Sequence, residues 1–571
     1  MHAVFAQLFR QHGIGRLHIP GGQPLYEAGA EADAVFLVAS GSLAVFRASP
    51  NGRTMLGLVR PGEIVGEAAV LSGTRRSATV VALRDSEVLV LPAPILFEAA
   101  RHTPEVMTEV ARLLIARARS AGAPPRYRPP KVVVLSALAG RTDARELAAT
   151  LGKALRRQGR SVIALGAHDA AHPPDWWGAV EDAHDVVLCP VGANEGEWGE
   201  ICRRQADRML IIGHSDDSPP AESHLCAIEP IQINAFVNLV LLHSGDKPRH
   251  TAAWLDAVQP GRLHHLTQGD DGARLARYLT GEDVALVLSG GGARAFAHIG
   301  AVRALRAAGI PIDAVCGTSM GAIIAAGVAS GWDDGELDER MRAAFVATNP
   351  LDDIAFPLVA MTRGCKVDRR LAEHFGEGDI ADLPLPFFCV SADLATGAHV
   401  AHRRGHLPTA LRASIALPGV LPPVTLGERV LVDGGTLLNL PSALQRAEHN
   451  GTVVAVDVSR SLGVLPEDVL RPRPLWRWMW SGAWRRGPPI VSILMRSATI
   501  AAEPELRAAR DAADLYVMPE VSDIEIRDWA AFNRAVSAGE NAMCGALAVL
   551  PCPVQKLRAE RESMAAAPMP M

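Results

Sequence analysis

Paired cysteines are missing from this sequence. Its eight cysteines are scattered, with none before Cys189 and no CxxC spacing. A disulfide-stapled secreted domain or a structural zinc site needs paired or closely spaced cysteines, so we expect neither. The pattern predicts reduced thiols and no bound metal, as in a cytoplasmic protein.

Long apolar runs are missing as well. The longest candidate for a membrane span, residues 314–330, has 17 residues rich in glycine and alanine, and such a stretch crosses a bilayer poorly. The first 13 residues carry charges on both sides of a very short apolar run, unlike a signal peptide. We therefore expect a cytoplasmic protein, with any membrane contact peripheral and at the inner membrane surface.

The sequence also lacks an excess of positive charge. Its 57 basic and 62 acidic residues give a net charge of −5 with neutral histidines. A nucleic-acid-binding surface usually requires a basic field, so we expect no nucleic acid partner. With 49% hydrophobic and 21% charged residues the chain is not mainly disordered, and 571 residues predict about three domains.

Local patterns divide the chain into segments. Residues 124–130 are rich in proline and predict a linker. Residues 1–123 show short β-type runs punctuated by glycine and proline and then a helix, which predicts a β jelly-roll with a C-terminal helix. Residues 131–280 alternate strands and helices, which predicts a doubly wound, Rossmann-like α/β middle domain. Residues 281–571 have an α/β pattern again.

The middle domain lacks the motifs of a nucleotide site. It has no GxxxxGKS/T motif and no GxGxxG after its first strand. Nucleotide binding there is unsupported, because those motifs supply the backbone amides and the lysine that hold phosphate groups. We interpret this domain as a structural or coupling element.

The residues with candidate chemistry lie in the last domain. Residues 317–321 match GxSxG between an apolar strand and an apolar helix, which is the context of a nucleophile elbow. The glycines of residues 290–292 precede it between another strand and helix, where backbone amides can face an oxyanion. Asp433 closes a short apolar strand and is followed by two glycines.

Each of these motifs alone has an ordinary explanation. GxSxG occurs by chance in a chain with 51 glycines, and an aspartate at a strand end is often a turn former. The glycine loop also begins a dinucleotide-binding fingerprint. That fingerprint requires an acidic residue about 20 positions later at the end of a second strand, whereas Asp313 comes before its strand.

Together, the motifs resemble the patatin-like phospholipases. Glycine loop, GxSxG and Asp-Gly-Gly occur in that order, residues 412–423 resemble the family too, and the resemblance covers roughly residues 281–550. It implies a Ser-Asp dyad that needs no metal or cofactor, with Ser319 as nucleophile and Asp433 as base. It also implies an oxyanion hole in the loop formed by Gly290, Gly291, Gly292, Ala293 and Arg294.

Three residues near this loop need separate interpretation. Ser289 and Ala295 stand where the family frequently has glycine. Ala295 fits if its backbone has a negative φ, as in the first turn of a helix. His298 follows one turn into the helix, and its order and spacing suit a packed or capping histidine rather than a member of a catalytic triad.

The first domain contains a second candidate site. Residues 65–79 resemble the phosphate-binding cassette of cyclic-nucleotide-binding domains. The resemblance implies that Arg76 pairs with the cyclic phosphate and that Glu67 accepts a hydrogen bond from the ribose 2′-hydroxyl. It also implies that the rest of the site is lined by Gly66, Ala68 and Ser77. The implied effector is a cyclic nucleotide, with cAMP preferred over cGMP; the alternative is a barrel that keeps only the fold.

The three domains in this order resemble the neuropathy target esterase family, as do residues 202–213 and 274–281 of the middle domain. This implies a lysophospholipase or carboxylic ester hydrolase that cleaves phospholipid or lysophospholipid esters and is regulated by a cyclic nucleotide. The alternative, from another class of function, is a cyclic-nucleotide-responsive scaffold whose inactive hydrolase domain binds lipid without turnover.

Four of the ten tryptophans fall between residues 476 and 484, among arginines. They are Trp476, Trp478, Trp480 and Trp484. Tryptophan next to arginine is typical of a surface that meets anionic lipid headgroups, which predicts a peripheral membrane contact. Packing against the hydrolase core or against a second copy of the chain explains the same pattern, and a homo-oligomer is compatible with it.

Overall fold

The computed structural model describes residues 15–49, 52–103, 105–120, 129–138, 141–172, 174–193, 196–219, 237–267, 269, 272–347, 352–356, 358–459 and 503–566. The strands of these residues form three sheets. Residues 1–246 with 253–279 form one compact unit, and residues 247–252 with 280–571 form a second. The domain boundaries that the sequence suggests stay predictions.

The first sheet is antiparallel. Its strands and the helices beside it are β1 (Gly15–Ile19), β2 (Pro24–Tyr26), β3 (Ala34–Ser49), β4 (Gly52–Val59), β5 (Ile64–Val65), α1 (Glu67–Ser72), β6 (Thr79–Pro92), α2 (Ala93–His102) and α3 (Glu105–Ser120). They pair in the order β1-β6-β3-β4, with β2 on β6 and β5 on β3. A β-rich domain followed by helix is confirmed, whereas its jelly-roll topology stays a prediction.

A glycine joins two predicted strand runs into one strand. The apolar runs at residues 34–38 and 43–46 both belong to β3, which has 16 residues. Gly41 between them has φ of +89°, and a Cβ there would lie 2.2 Å from the Ser86 hydroxyl oxygen. Because glycine tolerates this backbone and this close approach, the strand bends here without ending.

The second sheet is parallel throughout. Its elements are β7 (Val132–Ala137), α4 (Ala144–Arg157), β8 (Val162–Ala164), α5 (Pro174–Ala183), β9 (Val186–Val191), α6 (Gly196–Gln205), β10 (Arg208–His214), β11 (Val237–Leu242), α7 (Thr251–Val258), β12 (Arg262–Leu266) and α8 (Ala273–Thr280). The strand order is β12-β11-β10-β7-β9-β8.

The order of these strands differs from that of a Rossmann sheet. Counted along the chain from β7 it is 2-3-1-4-5-6, where a Rossmann sheet has 3-2-1-4-5-6. Six buried residues make β9 suitable for a central place, while β8 has three residues and is partly exposed. A short, partly exposed strand belongs at an edge, so the two exchange positions.

A buried ion pair connects the first sheet to the second. Arg84 on β6 donates to both carboxylate oxygens of Glu181 on α5, at 3.0 and 2.8 Å. The Arg84 Nε also lies 3.5 Å from an oxygen of Asp207, just before β10. Burial raises the pKa of Glu181, and the Arg84 guanidinium opposes that rise. Losing one partner would leave a buried charge unpaired, which would destabilise this packing.

The third sheet carries the candidate chemistry. Its elements are β13 (Val284–Leu288), α9 (Ala297–Ala307), β14 (Ala314–Thr318), α10 (Met320–Ala329), α11 (Asp334–Met341), α12 (Cys365–Phe375), β15 (Phe387–Asp393), β16 (His399–His402), α13 (Leu407–Ser414), β17 (Val424–Leu426), β18 (Arg429–Asp433), α14 (Ser442–Glu448), β19 (Thr452–Val456), α15 (Glu503–Ala512), β20 (Leu515–Val517), α16 (Phe532–Ala548) and α17 (Leu557–Ala566). No helix among the described residues is long and apolar enough to span a bilayer.

Parallel strands form the centre of this sheet. The order is β17-β18-β15-β14-β13-β19-β20, with β16 paired to β15. Strands β15, β14, β13, β19 and β20 run parallel, and β16 and β18 pair with β15 in the antiparallel direction. The register places Asp433, the last residue of β18, opposite Ser391 of β15, and the neighbouring Val390 pairs with Thr318, the last residue of β14.

Two glycines allow the two helices α9 and α16 to touch along their backbones. A Cβ on Gly300 would lie 1.9 Å from the Val536 carbonyl oxygen, and one on Gly539 would lie 1.8 Å from that of Ala297. Side chains at these positions would therefore force the helices apart. The contact fixes α9, the helix that follows the glycine loop.

We predict that Gly539→Ala lowers the free energy of unfolding of the second compact unit by about 3 kcal/mol, because the new methyl group meets a backbone carbonyl. Gly545→Ala is the matched control. It lies on the same helix with open space around its Cβ, and it should stabilise by up to about 1 kcal/mol through helix propensity. Denaturant unfolding measures both. Equal effects of the two variants would contradict the close helix contact.

Candidate active site

Ser319 sits on a strained turn between β14 and α10. Its backbone has φ of 55° and ψ of −130°, a conformation that side-chain-bearing residues rarely adopt. A Cβ on Gly321 would lie 2.4 Å from the Ser289 carbonyl oxygen, and one on Gly317 would lie 2.7 Å from the Gly321 carbonyl oxygen. Only glycine fits at either position, so both glycines of GxSxG are needed for the strained turn at Ser319.

Asp433 lies at the end of β18 and contacts Ser319 directly. The Ser319 hydroxyl donates a hydrogen bond of 2.6 Å to the Asp433 Oδ2. The other carboxylate oxygen, Oδ1, accepts a 2.7 Å hydrogen bond from the Gly435 amide. The structure thus brings together the two residues that the sequence predicts to form a dyad.

The environment of Asp433 makes it a stronger base than a carboxylate in water. Burial raises the pKa of Asp433 to about 6, against the hydrogen bonds from Ser319 and Gly435, which lower it. Desolvation disfavours the charged form of a carboxyl group, whereas hydrogen bonds donated to it favour that form. The carboxyl group is therefore mostly ionised at pH 7 and binds a proton more readily than an exposed aspartate.

A second serine fixes the backbone of Ser319. The buried Ser414, at the end of α13, accepts a 3.0 Å hydrogen bond from the Ser319 amide. Its hydroxyl donates in turn to the Val390 carbonyl, at 2.7 Å. Sequence reasoning included this serine only within a family-like run, because nothing local indicates that it contacts the nucleophile.

The glycine loop lies against Ser319. A Cβ on Gly290 would be 3.0 Å from the Ser319 Cβ. The amides of Gly290 and Ala293 donate to backbone carbonyls at 3.2 and 2.8 Å, and the Arg294 amide donates to the Gly291 carbonyl at 3.3 Å.

Two backbone amides of this loop donate no hydrogen bond to another described residue. Within the part of the chain that the structure describes, no hydrogen bond uses the backbone N–H of Gly291 or Gly292. The Arg294 Nε donates to the Ile524 carbonyl at 2.6 Å, so this buried side chain holds the loop in place. The geometry leaves the Gly291 and Gly292 amides as candidate donors to an oxyanion.

Asn439 is a site residue that sequence reasoning missed. Its backbone carbonyl accepts from the Gly290 amide, and its side-chain amide donates to the Gly290 carbonyl at 3.2 Å. A Cβ on Gly435 would lie 2.9 Å from its side-chain oxygen. Asn439 therefore connects the Asp-Gly-Gly turn to the glycine loop. Its place six residues after Asp433 is the only sequence signal.

The residues set aside from the dyad have structural contacts. His298 is buried, and a ring nitrogen lies 2.8 Å from the Ser289 carbonyl oxygen. Burial lowers the pKa of His298 to about 4, so the ring stays neutral. A packed histidine is thus confirmed. Ala295 lies within the 3-10 turn Gly292–Phe296, where its backbone has no positive φ.

Arg76 of the predicted nucleotide cassette contacts several groups of the first sheet and its loops. Arg76 is buried, and its guanidinium donates to the carbonyls of Gly66 at 2.9 Å and Ala34 at 2.7 Å. It also lies 4.3 Å from the centre of the Tyr26 ring. Among the residues that the structure describes, the buried Arg76 Nε has no hydrogen-bond partner. A buried guanidinium with an unused donor fits an anionic ligand group.

The other predicted cassette residues come shortly before or directly after Arg76 in the sequence. Gly66 has φ of 91° and precedes α1, and Glu67 is the buried first residue of that helix. Ala68 and Ser77 are exposed. A Cβ on Gly66 would lie 2.5 Å from an Arg76 nitrogen, and the left-handed φ of Gly66 favours glycine there. The tryptophans predicted to contact lipid, residues 476–484, lie outside the described residues.

Three known protein families match three successive regions of the chain. The patatin-like phospholipase family matches residues 286–443, and the cyclic nucleotide-binding domain family matches residues 16–102. A neuropathy target esterase (NTE) family P-loop like domain matches residues 139–268. These matches support the hydrolase domain and the nucleotide-binding domain that the sequence motifs suggest.

Two similar proteins cover most of the chain. An uncharacterised NTE family protein of Mycobacterium tuberculosis (strain CDC 1551 / Oshkosh) is 32% identical over 562 residues, which are 94% of this chain and 93% of that protein. Patatin-like phospholipase domain-containing protein 6 of Homo sapiens is 28% identical over 91% of this chain, but this covers 43% of the human protein. The resemblance drawn from the motifs is confirmed, and the chain belongs to the neuropathy target esterase family of patatin-like phospholipases.

Proposed function

We propose that this chain is a serine hydrolase that cleaves the carboxylic ester bonds of phospholipids or lysophospholipids through the Ser319–Asp433 dyad. The observation that carries the proposal is the 2.6 Å hydrogen bond between the Ser319 hydroxyl and the buried Asp433 carboxylate. Membership of a phospholipase family supports a lipid ester as the substrate class.

The first half of the reaction acylates the serine. As Ser319 Oγ attacks the ester carbonyl carbon, Asp433 Oδ2 takes the hydroxyl proton, and the carbonyl oxygen becomes negatively charged. In this proposal the amides of Gly291 and Gly292, which make no hydrogen bond among the described residues, donate to that oxygen. Asp433 then gives the proton to the departing alcohol oxygen, the ester C–O bond breaks, and the acyl group remains on Ser319.

The second half releases the fatty acid. Asp433, ionised again, removes a proton from a water molecule that attacks the acyl-serine carbonyl. The tetrahedral intermediate collapses, Ser319 Oγ leaves, and it recovers its proton from Asp433. One base thus serves both halves, and its pKa of about 6 lets it accept and return a proton near neutral pH.

A scaffold without turnover is the competing function. It would bind lipid in the hydrolase domain and respond to a cyclic nucleotide, but it would have no use for an aligned nucleophile and base. The strained Ser319 backbone and the two hydrogen bonds on Asp433 support the enzyme, because strain persists at such positions where function requires it.

The first domain adds a proposed regulatory site. Arg76 would pair with the cyclic phosphate, and Glu67 would accept from the ribose hydroxyl, with Gly66, Ala68 and Ser77 nearby. The unpartnered Arg76 Nε supports an anionic ligand, and the domain match supports a cyclic nucleotide, with cAMP expected before cGMP. Effector and substrate would occupy different domains, so regulation requires that nucleotide binding and hydrolysis are coupled.

The expected surroundings of the protein remain as the sequence suggests. We propose a cytoplasmic enzyme with peripheral contact at the inner membrane surface, and Trp476, Trp478, Trp480 and Trp484 stay candidates for that contact. Assembly into homo-oligomers is compatible with this proposal.

We predict that Ser319→Ala and Asp433→Asn each lower kcat for a p-nitrophenyl acyl ester by at least about a thousandfold, because nucleophile and base act as one unit. The double variant should be no slower than either single variant. In the wild type, kcat/KM should fall as the pH drops below about 6, where Asp433 becomes protonated. A fluorophosphonate probe should label Ser319 alone; turnover that persists in Ser319→Ala would exclude the dyad.

The raised pKa of Asp433 also predicts how stability depends on pH. The unfolded chain ionises this carboxyl at a pH near 4, but the folded chain does so near 6, so ionisation of Asp433 opposes folding above pH 4. The difference in free energy of unfolding between Asp433→Asn and the wild type should therefore shift by about 2 kcal/mol in favour of the variant as the pH rises from 4.5 to 8. Ser319→Ala keeps the carboxyl and is the control without such a gain. A constant difference across this pH range would show that Asp433 titrates like an exposed aspartate.

For the regulatory site, we predict that Arg76→Ala weakens cAMP binding at least tenfold, because a charge-assisted phosphate contact is lost. Glu67→Ala should weaken it less. Arg75→Ala is the matched control, since this exposed neighbour donates to the Gly29 carbonyl. Calorimetry with cAMP and cGMP measures binding, and lysophospholipid turnover with and without nucleotide measures coupling. Absence of heat at millimolar nucleotide would mean that the barrel keeps only the fold.

A further inference from the structure

Four large apolar side chains are exposed close together in the hydrolase domain. We call them the apolar tip: Ile354, Phe356, Leu358 and Val359. Their exposed fractions are 72%, 82%, 84% and 69%, respectively. Single exposed apolar residues are ordinary, but a cluster of this kind marks a surface that binds something apolar.

The backbone at the base of the apolar tip is ordered by hydrogen bonds. The amides of Met361 and Thr362 donate to the carbonyls of Gly419 and Val420, at 2.9 and 3.1 Å. The buried Thr362 hydroxyl donates to the same Val420 carbonyl at 2.7 Å. The tip is therefore attached to the segment that follows α13.

That segment also holds both members of the dyad. The contacts fall within residues 414–420. Ser414 accepts from the Ser319 amide, and the Ala416 carbonyl accepts from the Asp433 amide at 2.9 Å. Gly419 and Val420 accept the hydrogen bonds from the base of the apolar tip. A surface that binds at the tip is thus connected by a few residues of backbone to the reacting groups.

In the described part of residues 352–366, the formal charges at the base of the apolar tip balance. Asp352 and Asp353 oppose Arg363 and Lys366, and Lys366 pairs with Asp352 and donates its amide to Asp353 at 3.3 Å. A basic rim would favour anionic lipid and lose affinity in salt, whereas a neutral rim around an apolar cluster complements a zwitterionic lipid surface.

From this placement we infer that the apolar tip inserts into the surface of zwitterionic lipid aggregates and docks the active site on its substrate. This inference rests on the proposed function, since a phospholipid ester is normally packed in a micelle or bilayer. Insertion of large apolar side chains beside a neutral rim gives binding that depends on buried apolar area and little on charge.

The test uses the full-length protein and vesicles of phosphatidylcholine. Phe356→Ser/Leu358→Ser should lower the vesicle-bound fraction at least tenfold in a flotation assay and slow hydrolysis of vesicle-bound lipid in proportion. Hydrolysis of a soluble p-nitrophenyl butyrate should stay unchanged, because neither residue belongs to the dyad or the glycine loop. Val549→Ser is the matched control, because Val549 is 80% exposed on another part of the domain.

The salt dependence of vesicle binding by the wild type tests the inference without any variant. Binding to phosphatidylcholine vesicles should be similar at 50 and 500 mM salt, to order of magnitude. Binding that requires anionic lipid and disappears in salt would overturn the inference and favour a basic surface such as the tryptophan and arginine segment. Wild-type binding by the double-serine variant would overturn it as well.

Two further outcomes separate this inference from its alternatives. If sedimentation shows wild-type dimers that the double-serine variant abolishes, a second copy of the chain covers the apolar tip and the lipid assignment is wrong. If the wild type fails to hydrolyse the soluble ester but binds vesicles through the tip, the proposed catalytic function fails and the docking surface stands.

Discussion

The buried carboxylate of Asp433 is the group on which the hydrolase site depends. A charge removed from water persists only when neighbouring donors satisfy it, and the Ser319 hydroxyl and the Gly435 amide do so here. Burial nevertheless raises the pKa of Asp433 to about 6, which gives the site a base matched to neutral pH. Burial of this carboxylate lowers the free energy of unfolding, and in the proposed mechanism it strengthens the base.

The elements around this carboxylate are positioned by close backbone contacts. Glycine at 317 and 321 allows the turn that presents Ser319, and glycine at 290 lets the loop approach it. Asn439 and Ser414 then fix the loop and the nucleophile by hydrogen bonds. These contacts are preorganised before any substrate arrives, which is the property that electrostatic stabilisation of a transition state requires.

The sequence predicts those features that local motifs determine. Ser319, Asp433 and the glycine loop were predictable because each stands at the end of a strand in a recognisable pattern. The parallel character of the middle sheet follows from its alternation of strands and helices. The roles of Asn439 and Ser414 were not predictable, since their partners lie far away in sequence. The order of β8 and β9 depends on which strand is more buried, and the exposure of the apolar tip depends on tertiary packing, so neither follows from periodicity.

The most direct test of the account is to trap the acyl-enzyme. In rapid-quench experiments with a soluble ester at pH 7, followed by mass spectrometry of the digested protein, we expect a transient acyl group on the peptide that contains Ser319. The Asp433→Asn variant should accumulate none on the same timescale, because the hydroxyl keeps its proton. An acyl group on another residue, or wild-type acylation in Asp433→Asn, would contradict the assignment of Ser319 as nucleophile and Asp433 as its base.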